Sequence, residues 1–216
     1  MDKISINPLP CLLVDTREQT PLVFTHLQSA PAALQSGDYS VRGLEDVFAV
    51  ERKSMSDLVG SLKSGRDRFM RELHRLRGFT FARLLVVGSM QELYTMSQRG
   101  RVNLDQVEHS LLSFEQRYRV PVVRVDTPAA GALMVETWAF TAWRDAAAKV
   151  GVKLPFPDWC AGVLTGARPT PQAATVEEIA EAMKRRAGLP MEPQRLNRPA
   201  TVKEILTHAS YKYMPC

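Results

Sequence analysis

The sequence predicts an α/β fold, a layered domain with a partly parallel sheet, followed by a Pro-rich tail carrying short helices. Three observations carry that reading. Short continuous apolar runs at residues 12–14, 84–87 and 120–125 have the length and branched composition of strands covered on both faces. Stretches with helical periodicity alternate with them. From Gly151 onward, prolines at 155, 157, 169, 171, 190, 193, 199 and 215 punctuate a chain whose apolar residues are scattered. The expected division is a domain over residues 1–150 and a tail over 151–216. A chain of 216 residues is long enough for one sizeable core.

Taken in order, residues 12–18 (LLVDTRE) read as a buried strand that runs into a polar cluster, placing Asp15 at a strand end. Residues 47–53 (VFAVERK) favour a second strand with side chains alternating between two faces. Phe48, Val50 and Arg52 then share one face, and Glu51 and Lys53 the other. Met55, Leu58, Val59 and Leu62 follow the i, i+3, i+4, i+7 spacing of a helix, which Ser64-Gly65 breaks or bends. Phe69, Leu73 and Leu76 form a second stripe, with Arg68, Arg71 and Arg75 nearly opposite on a solvated face. After the strand at residues 84–88 comes an amphipathic helix through Val107, Leu111, Phe114 and Tyr118, with Asn103 or Asp105 as its cap. Thr127-Pro128 opens a last long helix, to about Lys149, burying Leu133, Trp138 and Ala142. In the tail, Thr175 and Glu178 have capping-box spacing, and Lys184, Arg185 and Arg186 close the helix that follows.

Charge is distributed unevenly. Residues 1–50 hold 3 Lys or Arg against 6 Asp or Glu, whereas residues 51–86 hold 9 against 4, within a formal total of +5. The basic stretch favours a polyanionic partner in a salt-dependent way. Cys11, Cys160 and Cys216 are too widely separated for a zinc site or a disulfide framework, which suits a reducing compartment. No apolar run reaches membrane-spanning length and no signal-peptide core follows Met1, so a cytoplasmic or DNA-associated, unsecreted protein is expected. Residues 60–65 (GSLKSG) lack the Gly-Lys-Ser/Thr order of a phosphate loop, so no nucleotide cofactor is expected.

The chemistry concentrates in Asp15, Asp38, Glu51 and Lys53. A divalent cation working on a phosphate takes hard oxygen ligands, of which Mg²⁺ needs only one or two carboxylates from the protein. Such an ion polarises phosphoryl oxygens and acidifies water, and a nearby ammonium offsets the charge that builds up. Taken singly, Asp15, Glu18 and Asp38 also suit turns.

Together, Val14-Asp15-Thr16-Arg17-Glu18, Gly37-Asp38-Tyr39, Val50-Glu51-Arg52-Lys53-Ser54 and Asp57-Leu58-Val59-Gly60-Ser61-Leu62 resemble the nuclease domain of the xeroderma pigmentosum group F (XPF) type of structure-specific DNA endonuclease. This is a branch of the restriction-endonuclease-like superfamily. The resemblance covers about residues 10–126 and implies a mixed central sheet flanked by helices. It implies that Asp15, Asp38 and Glu51 hold Mg²⁺ or Mn²⁺, that Lys53 assists catalysis, and that Arg17, Glu18, Arg52 and Asp57 support or position them. It also implies that Lys63 and Arg66 lie nearest the cleft and touch DNA, and that the domain pairs as a homodimer or heterodimer, directly or through the tail. The chain departs from the family in showing no helicase region and no Gly-rich helix-hairpin-helix modules. The favoured reading is a metal-dependent endonuclease acting near duplex/single-strand junctions. The alternatives are a non-catalytic DNA-binding subunit, or a nuclease acting on unbranched DNA or RNA.

Overall fold

The computed structural model describes residues 8–160. Six strands form one mixed sheet: β1 (Leu12–Asp15), β2 (Ser29–Ala32), β3 (Tyr39–Val41), β4 (Phe48–Ser54), β5 (Phe81–Val87) and β6 (Val122–Val125), in the spatial order β2-β1-β3-β4-β5-β6. β1 runs parallel to β2 and antiparallel to β3, β3 is antiparallel to β4, and β4, β5 and β6 are parallel. Five helices cover it: α1 (Met55–Leu62), α2 (Arg66–Leu76), α3 (Met90–Gln98), α4 (Leu104–Tyr118) and α5 (Pro128–Lys149).

Side-chain alternation along β4 separates two cores. Phe48 and Val50 join Leu12, Tyr39, Leu85 and Val87 beneath α5, while Ala49 joins Met55, Leu58, Phe69 and Phe114 beneath α1, α2 and α4. Glu51 and Lys53 follow Ala49 onto the second face, where the Lys53 ammonium lies 4.8 Å from the centre of the Phe69 ring. Both faces of the sheet are thus covered, as parallel segments require.

Local chemistry sets the element ends. Ser54 caps α1 by accepting from the Asp57 N–H, Asn103 caps α4 and Thr127 caps α5 with Pro128 in its first turn. Gly65 separates α1 from α2 as the sequence implied.

Three features differ from expectation. β2, with sequence SAPA, is half-exposed at the sheet edge, where a proline costs little ladder bonding. α3 buries only Leu93 and offers little periodicity to read. In α5 the fully buried stripe is Ala132, Val135, Ala139, Phe140 and Trp143, and the expected Leu133, Trp138 and Ala142 pack half-buried at its margin. The helix is apolar almost all round, so its periodicity does not choose a face. The choice falls to Gly131, whose missing side chain lets α5 approach Val87 and Val125, and to Glu136.

Glu136 is fully buried, and its Oε1 accepts the backbone N–H groups of Thr25 (2.9 Å), His26 (2.6 Å) and Leu27 (3.0 Å). It thereby fastens the β1–β2 connection to α5. The His26 ring stacks on Trp159 at 4.8 Å, and Leu154, Trp159 and Cys160 are buried, so the packed unit runs past residue 150 to at least Cys160. Burial pushes the Cys160 thiol up to about 12, and Cys11 is also a free thiol. The helix expected from Thr175, with Lys184, Arg185 and Arg186, lies outside the described residues. No helix among the described residues is long and apolar enough to cross a membrane.

Replacing Glu136 by Ala orphans three backbone donors in the core. Glu136→Ala is expected to cost about 3 kcal/mol in urea unfolding; a loss below about 0.5 kcal/mol, the usual range for a surface substitution, would show that the clasp carries no stability.

Candidate active site

An open cleft of about 460 Å³ forms where β1, β3 and β4 end beside α1 and α2, and Asp15, Asp38, Glu51, Lys53 and Asp57 all face it. Its geometry starts from the backbone. The Asp38 N–H donates to the Val50 carbonyl (2.8 Å), and the Asp15 N–H donates to the Asp38 carbonyl (2.8 Å), which draws the three segments together. The next amide along β4, that of Arg52, donates to Asp38 Oδ2 at 2.7 Å, so the carboxylate takes the place a carbonyl would hold in a strand. Gly37 makes this possible. Its φ is +78°, and a Cβ there would lie 3.0 Å from the Val50 carbonyl oxygen.

Asp38 is half-buried and Glu51 is buried, and the charge of Glu51 reaches Asp38. Burial first, and the charge of Glu51 second, push the Asp38 carboxyl up to about 7. Burial raises Glu51 as well, partly offset by Lys53. Lys53 Nζ donates to Glu51 Oε1 (2.9 Å) and Glu72 Oε2 (3.4 Å). Burial opposes its charge, but Glu51, Glu72 and Asp38 together hold its pKa above the usual lysine value, so it remains an ammonium at neutral pH.

Asp15 is differently employed. The backbone N–H and Nε–H of Arg17 donate to Oδ1 (2.8 and 2.7 Å), and Arg17 Nη2 and the Leu34 N–H donate to Oδ2 (3.0 and 2.8 Å). Hydrogen bonding from Arg17, against some burial, keeps its carboxyl below the ordinary range. Asp15 thus lines the same cleft as Asp38 and Glu51 but with its carboxylate engaged by Arg17. Among the described residues no group of three or more His, Cys, Asp or Glu side chains is arranged to hold a metal. The cause is local: Arg17, two residues on, folds back and fills Asp15's acceptor sites.

The remaining motif residues brace the cleft. Arg52, on the face opposite Glu51, reaches Glu18 (3.5 Å) and the carbonyl and hydroxyl of Thr20 (3.1 and 3.0 Å). Glu18 in turn accepts from the Thr20 N–H at 2.7 Å. Asp57 accepts from the Ser54 hydroxyl at 2.7 Å and closes the α1 cap reciprocally.

Lys63 and Arg66, expected nearest the cleft, lie elsewhere. The chain breaks at Lys63 (φ −102°, ψ −107°), and α2 restarts in a direction that turns Arg66 toward α4, where its guanidinium sits 4.9 Å from the Phe114 ring. Arg68 and Arg75 are exposed, as expected of a solvated face, and that face lines the open cleft together with Glu72. Glu72, which sequence reading did not single out, bonds both Lys53 (3.4 Å) and Arg68 (3.1 Å). The available signal was its position beside the Phe69–Leu73 stripe, facing the strand that carries Lys53.

With the geometry in place, comparison supplies the class. The ERCC4 domain model matches residues 14–137, and the chain belongs to the ERCC4-domain family. Two solved structures from Aeropyrum pernix share the fold. One is XPF in complex with DNA (24% identity, TM-score 0.51), matched over 63% of this chain and 66% of that one, so just under two thirds of its length is spanned. The other is XPF without DNA in its description (20% identity, TM-score 0.51), matched over 84% and 77% respectively. No curated protein matches the sequence.

Two outcomes follow from the site. A carboxyl whose folded pKa is raised binds a proton that the unfolded chain releases, so stability is lost as pH rises between the two values. For Asp38 that window runs from 3.8 to about 7. In EDTA, the melting temperature of the wild type should fall across this range relative to Asp38→Asn, and parallel curves would contradict the raised pKa. Gly37→Ala, strained in φ and pressed on β4, is expected to cost about 2 kcal/mol in urea unfolding.

Proposed function

We propose that the protein is a divalent-metal-dependent endonuclease that hydrolyses phosphodiester bonds of DNA near junctions between duplex and single strand. The observation that carries this reading is the half-buried Asp38 with the buried Glu51, both raised in pKa, beside a charged Lys53 in a cleft open to a polymer. Two desolvated carboxylates of like charge are unfavourable alone, and a hard dication offsets both. The donor set is all oxygen, which suits Mg²⁺ or Mn²⁺. Asp38 and Glu51 would hold the ion, which supplies a Lewis acid at the scissile phosphate. Asp15 would join them only by releasing Arg17.

The chain's own residues do the rest. Six carboxylates and five cationic side chains line the cleft, so bare protein presents phosphate with a slightly negative wall, and a bound dication reverses the sign. Lys53, kept protonated, is placed to offset charge on the phosphate rather than to accept a proton. Glu51 accepts from Lys53 (2.9 Å) and would hold the ion as well, so it would link the ammonium and the cation. Arg17, Glu18, Arg52 and Asp57 fix the strand ends that carry these groups. Family membership supports DNA as substrate, a 5′-phosphate product and pairing with a second nuclease domain. Light scattering of a chain ending at Cys160 against the full chain tests whether the tail mediates that pairing.

Purified protein with Mg²⁺ or Mn²⁺ is expected to cut labelled flap, splayed-arm or junction DNA in preference to linear duplex and RNA. Asp38→Ala and Lys53→Ala should each lower single-turnover rates by at least about 100-fold. Binding without cleavage by the wild type would leave a non-catalytic DNA-binding subunit, and preferential cutting of RNA or linear duplex would reassign the substrate.

A further inference from the structure

Beyond the cleft lies a second groove of about 340 Å³, between the end of α1, the start of α2 and the start of α4. Its floor is apolar, made by Val59, Leu62, Val102 and Val107, and its rim carries Lys63, Arg66 and His109 without a carboxylate among the lining residues. The cations here are held by neutral groups. Lys63 donates to the Arg101 carbonyl, and Arg66 donates to the Ser110 hydroxyl (3.4 Å) over the Phe114 ring. In the cleft, by contrast, Arg17, Arg52, Lys53 and Arg68 each face a carboxylate partner. Cations held by dipoles keep their charge available to an incoming anion, whereas paired ones must first give up a partner.

A third recess adjoins the cleft on the side of the α1–α2 break. This polar notch of about 430 Å³ shares Lys53, Asp57, Arg68 and Glu72 with the cleft and reaches Ser64 and Gly65, which flank Lys63 and Arg66 in the chain. Nothing lies within 4 Å of where a Gly60 Cβ would project, so no side chain crowds the notch at that point of α1.

We infer that this groove binds the unpaired strand of the DNA, Lys63 and Arg66 taking successive phosphates and the apolar floor receiving a splayed base. The inference rests on DNA being the substrate. An apolar floor under a cationic rim matches the two faces of a single-stranded nucleotide, whose base is apolar in its plane and whose backbone is anionic. A paired duplex offers phosphates but no free base face. A strand leaving the cleft across the notch would reach the groove, so the enzyme would sense single-stranded character away from the point of cutting.

Binding is measurable without catalysis. In EDTA, the full-length protein is irradiated with an oligothymidylate carrying 4-thiothymidine, and adducts are mapped by mass spectrometry. Adducts at residues 61–66 and 102–110, competed by single-stranded but not by duplex DNA, are expected. Lys63→Ala with Arg66→Ala should weaken oligothymidylate binding about tenfold and flatten the slope of log affinity against log salt by about 1.4, two phosphate contacts on a single strand. Because Arg66 packs on Phe114, Lys63→Glu, at an exposed position, serves as the companion variant, weakening binding with unchanged melting. Adducts absent or confined to the cleft, or unchanged affinity in both variants, would overturn the assignment, as would tighter binding of an oligouridylate RNA. Cleavage in Mg²⁺ is scored separately, so a protein that binds at the groove but never cuts refutes the nuclease reading alone.

Discussion

The site depends on the way Asp38 is locked into the sheet. Its backbone bonds Val50 on one side and Asp15 on the other, and its carboxylate accepts the Arg52 amide, so one residue joins three segments and orients an acid in the same act. A carboxylate used in this way cannot drift. Burial that accompanies the lock raises its pKa and makes the acid a poor anion by itself, which is the condition under which a metal ion is most strongly favoured. Gly37 is the backbone concession that lets Asp38 approach β4.

Around that lock, charges are graded by what balances them. Asp15 is satisfied by Arg17 and the Leu34 amide, Glu18 by Arg52, and Lys53 by Glu51 and Glu72. Among the described residues, Asp38 and Glu51 remain as the acids whose carboxyl pKa values are raised. The arrangement separates residues that build the cleft from residues left to act in it, although all belong to the same four short motifs. Beside the cleft, the groove at Lys63 and Arg66 follows another rule, holding cations with neutral dipoles so that their charge stays available.

The sequence made legible whatever one element decides alone. Alternation along β4 assigned Phe48 and Val50 to the core and Glu51 with Lys53 to the opposite face, and the caps at Thr127 and Asn103 followed from local chemistry. Relations between elements were not legible. Arg17's capture of Asp15 requires the turn geometry after β1, and Glu72's bond to Lys53 spans 19 residues and two helices. Arg66 lies away from the cleft, against expectation, because a single break at Lys63 redirects α2, an angle no periodicity encodes. In α5, an apolar surface nearly all round left the buried face to Gly131 and Glu136.

The central claim is that Asp38 and Glu51 form one hard-cation site. Manganese binding followed by electron paramagnetic resonance tests it directly, with no DNA and no turnover required. Saturable Mn²⁺ binding is expected, displaced by Mg²⁺ and lost in Asp38→Asn and in Glu51→Gln, but persisting in Lys53→Met. Binding that survives both carboxylate substitutions, or no binding by the wild type, would contradict it.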